Sequence, residues 1–191
     1  AILDALAIPY TGAGVAACAI AMDKVLTKRL WAADGLPVQP DMVIDESTSF
    51  DALVTRLGES SFAVKPALEG SSVGISRVSS QADLVAAYAK AGGASEKVMA
   101  EPGVVGRELT CAIIGDEALP VVEIRPANSH QFYDYDAKYR DDNTRYLCPA
   151  PLDAALSGEI QALTRRAFAG IGAKGWARVD FILDEANRPW L

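Results

Sequence analysis

Apolar residues recur along this chain with two periods, and the switches between them predict where helices and strands alternate. The opening AILDALAIPYTGAG reads as a short helix and then an Ile-Pro-Tyr strand, the tail of a set of elements that starts upstream. From Asp23 the run DKVLTKRLWAADG puts Val25, Leu26, Leu30 and Trp31 at helical spacing, with Asp23 as N-cap and Gly35 as the stop before Pro37. Residues 62–66 and 75–78 read as two short strands around ALEGSSVG, a hairpin-like unit with a polar, small-residue tip. Ser80 and Asp83 make a capping-box pattern that opens a helix through about Lys90, ended by Gly92 and Gly93. Residues 98–101 form the next predicted strand.

After Pro102 and Gly103 the pattern becomes antiparallel, because residues 108–114 and 119–124 are β-rich and flank a Gly115-Asp116-Glu117 turn. A second lobe is therefore expected to begin near residue 103. The stretch 126–149 is polar, aromatic and without sustained period, as expected of a lid or a disordered loop. Asp153 caps a predicted helix running to Gly172, with Ile160, Leu163, Ala167, Phe168 and Ile171 on its apolar side. Residues 176–183 alternate like a strand, and a DEANRP turn leads to Trp190 and Leu191 at the start of another. No internal repeat or low-complexity tract interrupts this order, so the prediction is a mixed α/β chain organised as α+β lobes.

Composition narrows the partners. Of 191 residues half are apolar and 23% charged, and the formal net charge is −7. That balance lacks the dense basic surface that drives counterion release from nucleic acid or binding to anionic lipid. Cys18, Cys111 and Cys148 lie far apart with no paired spacing, so neither a disulfide framework nor a zinc site is indicated, and a reducing cytoplasm is the simplest expectation. No apolar run reaches the roughly 18–20 residues of a membrane helix.

Several side chains are candidates for chemistry. Lys65 sits in an apolar strand, where an ammonium needs an anionic partner. Ser71 and Ser72 follow it within EGSSVG, a glycine-bounded flap able to close over phosphate oxygens; a plain hairpin tip with an edge lysine fits the local pattern equally well. Lys24 is either a phosphate contact or a solvated helix lysine. Glu101 and Glu108 flank the Pro-Gly hinge, aimed at ribose hydroxyls or merely two surface acids. The segment FYDYDAKY, with Lys138 and Tyr139, suits a lid that supplies charge and excludes water, and its aspartates disfavour a nucleic-acid stacking platform. Arg178 and Asp180 share one strand face and suit a phosphoryl group and its Mg²⁺, with a structural ion pair as the alternative. His130 is the sole histidine and no nucleophile elbow is present, which disfavours triad hydrolysis. Walker-type and dinucleotide glycine motifs are absent, and the TGAG at 11–14 reads as a turn.

Taken in order, YTGAGV, MDKVLTK, VKPALEGSSVG, GRELT, LPVVEI, FYDYDAKY, YLCPAPL and GWARVDF resemble the D-alanine:D-alanine ligase family over essentially the whole chain. The resemblance implies an ATP-grasp fold, two lobes of mostly antiparallel sheet clamping ATP. It divides the chain into a remnant of an N-terminal substrate domain (1–16), a central lobe (17–102) and a truncated C-terminal lobe (103–191). It implies ATP-dependent joining of two D-alanines through an acylphosphate, for peptidoglycan synthesis, cell-wall biogenesis and cell shape. A different ATP-grasp carboxylate–amine ligase, or an inactive nucleotide-binding module, is the alternative. Lys24, Lys65, Ser71 and Ser72 would then face the phosphates, Glu101 the adenine amino group, Val104 the base and Glu108 the ribose. Arg178, Ser71 and the lid residues Lys138 and Tyr139 would act in catalysis, Tyr139 marking the dipeptide-making version, and Asp180 would hold one of two Mg²⁺ or Mn²⁺ ions. The remaining metal ligands, a Glu-x-Asn pair, would start about two residues past Leu191, so the 191 residues alone are expected to be inactive. Pro102-Gly103-Val104 stands where relatives often carry an aromatic residue. The resemblance further implies a cytoplasmic homodimer.

Overall fold

In the computed structural model, residues 1–126 and 144–191 are described. Helix α1 (Ile2–Ala5) opens the chain, and α2 (Val15–Met22) and α3 (Lys24–Ala33) follow. The expected Ile-Pro-Tyr strand is not formed: residues 8–10 are irregular and pair with no strand. The Asp23 carboxylate caps α3 by accepting from the Val25 and Leu26 amides, as its position before the periodic run requires. The buried face of α3 differs from the expected one, however. Leu26 is exposed, while Thr27 and Lys28 are buried beside Val25.

A four-stranded antiparallel sheet is built from β1 (Met42–Ile44), β2 (Phe62–Pro66), β3 (Ser76–Val78) and β4 (Val98–Pro102) in the order β1-β4-β2-β3. Strand alternation sends Phe62, Val64, Val98 and Ala100 to one face, where α4 (Phe50–Leu57) and α5 (Gln81–Lys90) cover them with Leu53, Leu57, Leu84 and Ala87. Each such large apolar side chain contributes about 1.5–3 kcal/mol by leaving water. Phe50 meets Phe62 edge-to-face at 5.6 Å between centroids. The opposite face carries Ala63, Lys65, Met99 and Glu101, since Ala63 pairs with Glu101 and Lys65 with Met99.

The second sheet runs β10-β9-β5-β7-β8, again antiparallel, with β6 paired to β5. Its members are β5 (Gly106–Ile114), β6 (Glu117–Ala118), β7 (Val122–Arg125), β8 (Arg145–Leu147), β9 (Trp176–Asp184) and β10 (Pro189–Trp190). The strand expected over 119–124 is shortened to β7, because Pro120 has no amide proton to donate to a ladder, while β6 forms at the end of the expected 115–117 turn. Part of the expected loop 126–149 is strand β8, which pairs with β7. Leu109, Cys111, Val179, Phe181 and Leu183 point to a core closed by α6 (Ala154–Gly170), capped by Asp153 through the Leu156 amide. The N-terminal helices bridge the two sheets, because α3 places Val25 against Ala67 and Met99 while Trp31 donates to the Ala167 carbonyl of α6 at 2.9 Å.

Gly106 begins β5 opposite Asp184. A Cβ there would lie 2.2 Å from the Leu183 carbonyl oxygen, so Gly106→Ala must push β5 from β9. The expected cost is about 1–3 kcal/mol, read as a lower urea midpoint at unchanged m-value.

Candidate functional site

The open faces of the two sheets meet at a cleft. From the first sheet come Ala63, Lys65, Glu101 and Pro102; from the second, Glu108 and Ile182. The flap adds Ser72 and Ile75, and the connection after β4 adds Gly103 and Val104, enclosing about 110 Å³. The connection is held close, the Gly103 amide donating to the Ser61 carbonyl at 2.9 Å. A side chain at Gly103 would press on Ser61 Oγ at 3.3 Å.

Glu101 is the electrostatic centre of the first sheet's contribution. Lys65 from β2 binds its Oε1 and Lys28 from α3 binds its Oε2. Burial alone would raise this carboxyl, but the charges of Lys65 and Lys28 outweigh it and hold the pKa at about 2. Lys24, four residues before Lys28, points to the root of the flap. Its ammonium donates to the carbonyls of Pro66, Ala67 and Glu69. Burial and then the nearby Lys65 lower its pKa. Beyond that root the flap turns through left-handed residues, with φ of 53° at Ser71, 57° at Ser72 and 73° at Gly74. Such conformations are uncommon for residues other than glycine.

On the second sheet one face carries a row of polar side chains. Glu108 pairs across with Ile182, Thr110 with Asp180 and Ala112 with Arg178. Alternate residues of a strand are about 6.7 Å apart, so the row leads away from the cleft in steps of that size. Thr110 Oγ1 donates to Asp180 Oδ1 at 2.7 Å, and Arg178 Nε meets the same oxygen at 2.9 Å. Both members of that ion pair are more than half exposed. On the opposite face, Glu123 is clamped by Arg107 and Arg125. Hydrogen bonding from Arg107 chiefly lowers its pKa to about 2, a structural role on the side away from the cleft.

Residues 30–191 match the family model described as D-ala D-ala ligase C-terminus. This chain belongs to that family. It is 56% identical over 191 residues to the D-alanine–D-alanine ligase of Dichelobacter nodosus, covering all of this chain and 62% of that protein. It is 47% identical to the one from Saccharophagus degradans, of which it covers 60%. The crystal structure of the D-alanine–D-alanine ligase from Bacillus anthracis superposes with a TM-score of 0.82 at 29% identity, over 99% of this chain and 61% of that one. The chain thus spans about three fifths of the length of these relatives. The fold is the two-lobed, antiparallel ATP-grasp arrangement expected from the motifs.

Within this ligase-family chain, Lys65, Ser72, Glu101, Val104 and Glu108 line one cleft. Lys24 sits at the flap root, Ser71 beside Ser72 in the flap, and Arg178 and Asp180 further along the second sheet's open face. Lys138, Tyr139 and His130 lie outside the described residues. Sequence reasoning missed Lys28, whose signal was its place one helical turn after Lys24. It also missed the apolar walls Ala63, Ile75 and Ile182.

Proposed function

We propose that this chain is the ATP-handling part of a D-alanine:D-alanine ligase, with residues 17–102 and 103–191 as its two ATP-grasp lobes and 1–16 as the end of a preceding substrate domain. The observation that carries the reading is the continuous track from Glu101 and Val104, past Glu108, to Asp180 and Arg178. A nucleotide laid along it has base, sugar and phosphates in that order. Glu101 then accepts from the adenine amino group, Glu108 from ribose hydroxyls, and Lys65, Lys24 and the Ser71–Ser72 flap address the phosphates. Among the described residues no three His, Cys, Asp or Glu side chains cluster as a metal site. Asp180 fits as a single oxygen ligand, oriented by Thr110 and Arg178, with phosphate oxygens and water available for the other positions. Bound Mg²⁺ or Mn²⁺ supplies charge neutralisation on the transferring phosphate.

The chemistry that follows is positional. One D-alanine carboxylate oxygen attacks the γ-phosphorus, and the bond to the bridging oxygen of ADP breaks. The amine of a second D-alanine then attacks the acyl carbon, phosphate leaves, and the amine proton passes to solvent. Arg178 stabilises charge on the transferred group; by the family resemblance Lys138 would add positive charge there and Tyr139 would exclude water. No side-chain nucleophile is needed. The product is a peptidoglycan precursor, made in the cytoplasm by a homodimer.

Full-length protein is expected to release phosphate only when ATP and D-alanine are both present. Release with another acid and amine but none with D-alanine points to a different carboxylate–amine ligase. Nucleotide binding with no turnover of any such pair points to an inactive module.

A further inference from the structure

We infer that Lys28 is a positioning residue that fixes the Glu101 carboxylate as an acceptor-only reader of the purine 6-position, and so sets a preference for adenine over a 6-oxopurine. The inference rests on the nucleotide reading above. Lys65 and Lys28 hold different oxygens of Glu101, yet only Lys65 is among the residues lining the cleft. The Lys28 side chain is 8% exposed, against 20% for Lys65. Lys28 therefore grips the carboxylate from behind. Each carboxylate oxygen has two lone-pair directions, so a lysine on each leaves room for an incoming N–H donor.

The two lysines have different fates when phosphates arrive. Lys65 borders the cleft and is free to turn toward an anion; Lys28 has no phosphate within its reach from behind Glu101. Its charge remains on the carboxylate, which stays ionised and fixed in direction. An ionised carboxylate accepts from the adenine 6-amino group and repels the 6-carbonyl of hypoxanthine, whereas a protonated carboxyl can also donate to that carbonyl and a swung-away one reads neither. Helix α3 thus serves two ends of one ligand. Lys24 holds the flap root and Lys28, one turn on, holds the base-reading group.

The test compares ATP with inosine triphosphate on the full-length protein, by calorimetric binding and by KM and kcat. The unmutated protein should prefer ATP by at least about tenfold, since a buried polar reader left facing a like group is penalised strongly. Lys28→Met and Lys28→Gln should each reduce that preference to within about threefold, through ATP KM rather than kcat, and Lys28→Arg should restore it. Thermal melts identify which variants fold. An undiminished ATP preference in a folded Lys28→Met or Lys28→Gln protein overturns the inference. So does equal binding of both nucleotides by the unmutated protein, although the nucleotide reading then stands; binding of neither sinks that reading instead. A measurement on the unmutated protein bears on the same point. The ¹⁵Nζ resonance of Lys28 should stay protected on saturation with ATP while that of Lys65 moves, and comparable movement of both overturns the assignment.

Discussion

If the proposed ligase activity holds, replacing Arg178 with alanine in the full-length protein is expected to lower kcat about 10²- to 10³-fold while leaving KM for ATP nearly unchanged. Arg178 lies at the far end of the polar row on β9, two residues beyond Asp180 and four beyond the cleft residue Ile182. On the proposed nucleotide track, that distance from the base and ribose positions puts it beside the group being transferred. Its value arises as charge develops in the transition state, so its loss appears in turnover rather than nucleotide binding. A merely structural arginine would give a different result. The Arg178–Asp180 pair is exposed at both ends, 58% and 59%, and an exposed pair contributes roughly 0–1 kcal/mol. The variant should therefore melt near the parent temperature. A large fall in stability with only a proportionate fall in kcat would show that the pair is a structural bridge.

Glu101→Ala should produce the largest loss of stability at this site, about 3–5 kcal/mol. It leaves the ammonium groups of Lys28 and Lys65 facing one another, both largely removed from water. The same charges predict how the unmutated protein responds to acid. The folded pKa of Glu101 is depressed from 4.5 to about 2, so its stabilisation is fully present above about pH 4.5 and is lost as pH falls toward 2. That loss is on the order of 3 kcal/mol. Glu123, held at about 2 by Arg107 and Arg125, weakens in the same window. Urea midpoints at neutral pH and near pH 3 should therefore differ by less in Glu101→Gln, which cannot titrate, than in the parent. Equal acid sensitivity in both would mean that Glu101 is not ionised between its lysines.

Much of this was legible beforehand where one residue's local chemistry decides. Asp23, Ser80 and Asp153 each cap the helix predicted for them, because an oxygen acceptor one residue before an apolar period satisfies free amides through the backbone itself. Strands β2, β4, β5 and β9 were visible in their alternation. The failures share a cause. The Ile-Pro-Tyr segment has strand composition but no partner, and β8 forms because β7 lies alongside it. Leu26 satisfied the helical period yet lies exposed, and Lys28 broke it yet is buried, since what α3 packs against includes a carboxylate.

The sequence by itself determined the antiparallel lobes, the flap between paired strands, and the same-face placement of Arg178 with Asp180, all set by periodicity and by motifs read in order. Tertiary structure decided which charges meet. Lys28, Lys65 and Glu101 come from three elements, and α3 bridges both sheets through Val25 and Trp31. Residues 36 and 73 positions apart in the chain acquire a shared electrostatic fate only when packing brings them together and removes water between them.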